Sequence, residues 1–184
     1  MDGESVGIYS VAWRLSALTA IILLVVNTIA APKIAELFWA KKQQQLQKYL
    51  SQITSLLLIM SFVVSLGFLI FNEFILNVFG EAFIEGKTAL IILVVAQFLK
   101  VNTALSGVFM NMTGLHKQYS LILISVIILM CILHPILITL YGINGAAMTS
   151  AIGMICINVP SAILVYKKTG VISFFKPIRL IRTI

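Results

Sequence analysis

Lys100 sits near the middle of an apolar run, Thr88 to Met110, and Arg14 lies well inside another, Ile8 to Ala31, while no Asp or Glu falls inside any such run. On insertion scales a Lys or Arg at mid-bilayer costs about 2.5 to 3.5 kcal/mol, so such residues face a protein interior or a watery cavity and usually mark a pathway. Two cations with no acid beside them point to an anionic guest. On a helical wheel Gln97, Lys100, Thr103, Gly107 and Asn111 share one side, and Ser10, Arg14, Ala17 and Thr28 share another. His134, just before Pro135, is a candidate carrier of a coupling proton, a role histidine commonly takes. The plainer alternative is hydrogen-bonded packing beside a helix kink.

The elements that must hold these side chains are transmembrane helices. The chain is 60% hydrophobic and 10% charged, with a mean hydropathy of +1.08, against about 45 to 50% apolar and 25% charged in soluble domains. Spanning takes about 20 apolar residues, and five runs qualify: 8–31, 49–71, 88–110, 119–141 and 144–166. The expected fold class is therefore all-α, a polytopic membrane helix bundle of five transmembrane helices. Strict polar–apolar alternation is absent, which argues against an outer-membrane-type barrel. The acidic opening MDGESVG lacks the basic stretch of a secretory signal, so the first run is expected to stay in the mature chain. Cys131 and Cys156 both fall inside spans and read as small buried hydrophobes.

Orientation follows from where the bases lie. One set of loops holds Lys33, Lys41, Lys42, Lys48 and Lys117 and then the tail bases Lys167, Lys168, Lys176, Arg179 and Arg182. The other holds Asp2, Glu4, Glu73, Glu81 and Glu85, with Lys87 its only base. The amino end is expected outside and the basic tail, 167–184, in the cytoplasm. The net charge of +7 is thus a topology signal, and nucleic acid is not an expected partner. Residues 32–48, with Trp39 beside Lys41 and Lys42, suit an anchor lying along the inner surface. Glu73, Asn77, Glu81 and Glu85 recur every fourth residue, which suggests an outer interfacial helix interrupted at Gly80. Turns are expected at Thr113-Gly114 and around Gly142, pairing the last two spans antiparallel.

The run VGIYSVAWRLS, the AAPKIAEL that closes the first span, VFGEAF, the NMTGLHK turn and GINGAAMTSAI resemble the polysaccharide flippases of the multidrug/oligosaccharidyl-lipid/polysaccharide exporter superfamily. The resemblance runs along nearly the whole chain. It implies two pseudo-symmetric bundles of six helices around a central cavity, of which this chain would be an incomplete second bundle, 1–184, with the missing amino-terminal bundle a partner if it is a separate chain. It implies alternating access for an undecaprenyl-pyrophosphate-linked oligosaccharide in a bacterial plasma membrane, serving O-antigen, lipopolysaccharide or capsule, with membrane lipids around it. Arg14 falls in the eighth-helix region where related lipid flippases place an important arginine.

On this reading Arg14 and Lys100 attract the pyrophosphate, and Gln97 and Asn111 bond sugar hydroxyls. Lys100 is assigned from its depth, since no family motif covers it. Plainer alternatives stand beside each role. Arg14 could snorkel to the interface, Lys100 could pair with an acid in the absent bundle, and the amides could join helices to one another. No metal-ligand spacing, phosphate-cradling loop or catalytic set is present, so neither an enzyme nor a cofactor is expected. Two other functions remain open: multidrug export, for which a cavity carboxylate would be favoured, and an inactive remnant or membrane interaction subunit.

Overall fold

The computed structural model describes residues 3–172, and every regular element among them is a helix. In chain order these are α1 (Gly3–Leu18), α2 (Ile21–Trp39), α3 (Gln43–Ile70), α4 (Asn72–Asn77), a 3₁₀ helix (Glu81–Gly86), α5 (Lys87–Val101), α6 (Leu105–Met112) and α7 (His116–Thr169). Four segments are long and apolar enough to cross a membrane: Ile21–Trp39, Gln43–Ile70, Glu81–Val101 and His116–Thr169. The protein is an all-α membrane helix bundle.

Hydropathy delimits apolar runs, but it cannot see where winding changes inside one. The expected span 8–31 is two helices, α1 and α2, joined where the Thr19 and Ala20 amides bond back only three residues, to Ser16 and Ala17. Local hydroxyls account for this. Ser16 Oγ donates to the Trp13 carbonyl and Thr19 Oγ1 to that of Ser16, at 2.8 and 2.6 Å, competition that bends helices. The expected span 88–110 divides likewise into α5 and α6, with the Thr103 and Ala104 amides bonding to Lys100 and Val101. Residues 32–39, expected to lie along the surface, instead continue α2 through Pro32, and Lys33 pairs with Glu36 at 2.8 Å. Lys41, in the left-handed region at φ 56°, turns the chain into α3.

The last two expected spans form one element, α7, folded back on itself at Gly142. Its φ of 56° and ψ of −129° are not helical, and a glycine reaches that region without a Cβ clash. The arms, 116–141 and 143–169, run antiparallel. Gly153 packs against Met130, and Gly145 lies so close to the Leu137 carbonyl that a Cβ there would occupy the same space. The 72–87 segment is helical on both sides of Gly80, which adopts φ 125°.

This path sorts charge to the two ends of the bundle. Glu4, Glu73, Glu81, Glu85 and Lys87 collect at one end, where Gly86 packs on Ile8 of α1. At the other, basic end, Trp39 Nε1 donates to the Met112 carbonyl at 3.2 Å, and Gln47 exchanges two hydrogen bonds with the Ile172 backbone at 2.9 and 2.8 Å. Lys167 and Lys168 form the last turn of α7, while the tail bases Lys176, Arg179 and Arg182 lie outside the described residues.

Two apolar cores fill the bundle. One, toward the acidic end, packs Ala12, Leu15, Leu76, Leu90, Leu93 and Ala147. The other, toward the basic end, is larger and includes Ile34, Leu46, Leu50, Leu57, Phe109 and Met110. They meet at the level of the α1–α2 and α5–α6 joints.

Candidate functional site

A cavity of about 540 Å³ opens at that level. The α1–α2 joint supplies Ala17, Ala20, Ile21 and Asn27; the α5–α6 joint supplies Lys100, Ala104, Gly107 and Asn111. The arms of α7 close the rest with Tyr119 and Leu123 from the first and Met154 and Asn158 from the second. Irregular winding at membrane depth is tolerated where it lines a cavity or is buried in protein, and both joints do so.

Lys100 is half-buried, one turn before the α6 half of its helix. Its ammonium lies 3.5 Å from Gln97 Oε1, and Gln97 is 4% exposed, behind the cavity wall rather than on it. Gln97 therefore steers the lysine from the preceding turn. The ion pairs found among the described residues, Lys33–Glu36 and Lys87–Glu73, are both exposed and near the ends, so none of them neutralises Lys100. At the acidic end Lys87, 2.6 Å away, holds the Glu73 carboxyl below its ordinary range through a hydrogen bond and its charge.

The remaining expected site residues are distributed unevenly. Asn111 is on the cavity wall and exposed. Arg14 is also exposed, one turn before Ala17, but it does not line the cavity, and among the described residues it has no hydrogen bond or ion pair. His134 is half-buried on the first arm of α7, eleven residues beyond Leu123, or about 16 Å along the helix. The structure thus brings Lys100, Gln97 and Asn111 together, and it leaves Arg14 near the cavity and His134 away from it.

Sequence reasoning passed over three wall residues, Asn27, Tyr119 and Asn158. For the two asparagines the only signal is an amide inside an apolar run; for Tyr119 it is weaker still. Tyr119 reaches the cavity because Gly107 has no side chain: a Cβ at 107 would stand 2.8 Å from the Tyr119 hydroxyl.

Chemically the wall offers one ammonium, several amides and a phenol. Such a set binds and orients. Among the described residues no three His, Cys, Asp or Glu side chains group closely enough to hold a metal ion.

No family model matches the chain, and no solved structure matches it significantly. Among curated proteins the chain is similar to one from Haloferax volcanii named "Probable low-salt glycan biosynthesis flippase Agl15", 30% identical over 151 residues. The match covers 80% of this chain but 31% of the relative, so the chain spans about a third of the length of the protein it resembles. The chain is thus an all-α membrane helix bundle with a cavity lined by Lys100 and several amides, similar over most of its length to part of a protein named as a probable glycan flippase.

Proposed function

We propose that the chain forms part of a transporter that carries a lipid-linked oligosaccharide pyrophosphate across the plasma membrane for surface polysaccharide synthesis. The observation that carries this reading is Lys100, which lines an open 540 Å³ cavity with no described carboxylate in ion-pair contact. An ammonium at membrane depth with no carboxylate in contact is stabilised by an anionic guest in the cavity. Arg14, one turn before Ala17 of the cavity wall and unpaired among the described residues, is a second attraction for the same phosphates as they enter. Gln97 positions Lys100, Asn111 meets the guest directly, and His134 is a proton-coupling group acting from outside the cavity.

In this reading the acidic end is outside, the basic end is cytoplasmic, and the chain crosses five times, the arms of α7 counting separately. The open side of the cavity faces a further bundle, in keeping with the chain's 31% share of its relative. The relative is archaeal, so its likeness does not narrow the glycan to O-antigen or lipopolysaccharide. Multidrug export is the weaker reading, because a cationic drug would be repelled by Lys100.

A charge-assisted hydrogen bond contributes about 1.5 to 3 kcal/mol, or roughly ten- to a hundredfold in affinity. In the intact gene product, Lys100→Ala is therefore expected to lower surface-glycan export by at least about tenfold, and Lys100→Arg to retain most of it. Unchanged export with Lys100→Ala would remove the proposal's basis.

A further inference from the structure

The wall that carries Lys100 also carries neutral groups, amides and a phenol, that can accept hydrogen bonds as well as donate them. A phosphate oxygen accepts hydrogen bonds, so it suits an ammonium and is repelled by an amide oxygen. Yet Asn27 lines this cavity, and among the described residues its amide makes no hydrogen bond. Of the six buried side-chain oxygens without a partner among the described residues, Asn27 Oδ1 alone belongs to a residue that lines this cavity; the oxygen itself is covered, and the amide N–H₂ is the accessible end. The Tyr119 hydroxyl, laid over Gly107, likewise makes no hydrogen bond among them. Asn158 donates from Nδ2 to the Met154 carbonyl at 2.8 Å, which fixes that amide and leaves its Oδ1 as an available acceptor.

The Asn158 oxygen, the Tyr119 phenol and the Asn27 amide N–H around one cavity are matched by a group that both donates and accepts. A sugar hydroxyl does so, and so does the acetamido group of an amino sugar. Polar groups left unpaired under a bound guest are costly, which makes such a wall selective: a guest lacking the complementary hydroxyl leaves the Asn27 N–H and Tyr119 unpaired.

We infer that Asn27 and Tyr119, supported by Asn158, form a carbohydrate-reading subsite distinct from the anion-binding Lys100 in the same cavity. The inference rests on the flippase reading and deepens it. Lys100 sets how tightly any lipid pyrophosphate is held. Asn27 and Tyr119 set how much tighter it is held when it bears sugar.

The test uses the intact protein in lipid nanodiscs and two probes: a polyprenyl pyrophosphate, and the same lipid carrying one N-acetylhexosamine. Affinities are measured from tryptophan fluorescence. The wild type is expected to favour the glycosylated probe. Asn27→Leu and Tyr119→Phe should each weaken that probe by about tenfold, the equivalent of one lost hydrogen bond with its orphaned partner, and leave the bare lipid unaffected. Lys100→Ala should weaken both probes alike. Equal loss on both probes, or no loss on either, for the two subsite variants overturns the inference while the flippase reading stands. A wild type that binds neither probe refutes both. Tyr119→Phe removes a single oxygen, so it decides the matter should Asn27→Leu fail to fold.

Discussion

The two ends of the bundle share a leucine-rich core but differ in what is packed around it. Toward the basic end the core is built from large side chains, with Phe109 fully buried and edge-on to Phe38 at 5.6 Å between ring centres. Toward the acidic end the fully buried positions include Ala12, Ala89 and Ala147, and Gly145 and Gly86 let backbones close on Leu137 and Ile8. In lipid the hydrophobic effect does not press helices together, so each end must gain its cohesion from contact. Buried leucines do this at both ends, with aromatic interlocking added at the basic end and close backbone approach at the acidic one. The first is vulnerable to truncation, the second to enlargement.

That contrast can be broken most forcefully at the acidic end. Gly145→Leu puts a side chain where the Leu137 carbonyl already is, so the arms of α7 cannot close; a cost of about 3 kcal/mol or more should appear as loss of monodisperse protein on size-exclusion chromatography. At the basic end Phe109→Ala should lower stability by about 3 kcal/mol through its cavity, read as an earlier thermal transition in detergent, whereas the same truncation logic has little to remove at Ala89. Tyr9→Phe deletes the 2.8 Å hydrogen bond to Ser150 that joins α1 to α7, and cross-helix bonds of this kind are worth about 0.6 kcal/mol on average, so a shift of a degree or so is expected. The smallest effect belongs to the exposed Glu73–Lys87 pair. Because Lys87 lowers the Glu73 pKa from its ordinary 4.5, the pair stabilises the fold above that value and the benefit is lost as pH falls through the lowered one. Glu73→Gln should therefore flatten the decline in melting temperature between neutral and acidic pH; an identical decline in both proteins removes the pair from the account.

The helical class, the segregation of charge and the reversals at Gly114 and Gly142 were legible in the sequence, because hydropathy, base placement and glycine chemistry act locally. Lys100 and Asn111 were legible for the same reason, as polar groups that an apolar run cannot leave facing lipid. The joints were not: Ser16, Thr19 and Thr103 change the winding through hydroxyl bonds to nearby carbonyls, and a Thr in an apolar run carries no mark of whether it will do so. Nor was Tyr119 legible, since its place over Gly107 depends on how α7 returns beside α6. Residues 32–39 show the converse, where a Pro suggested a boundary and the helix ran through it.

The joint at residues 102–104 has a geometric consequence for the far side of the cavity. A 3₁₀ turn advances about 120° per residue against 100° in an α-helix, and rises about 2.0 Å against 1.5 Å. Rewinding those three residues into α form would act as a screw, swinging Gly107 and Asn111 by about 60° around the axis and drawing them about 1.5 Å toward Lys100. Exchanging the short hydrogen bonds of the Thr103, Ala104 and Ser106 amides is thereby geared to a turn of the cavity wall at Gly107 and Asn111.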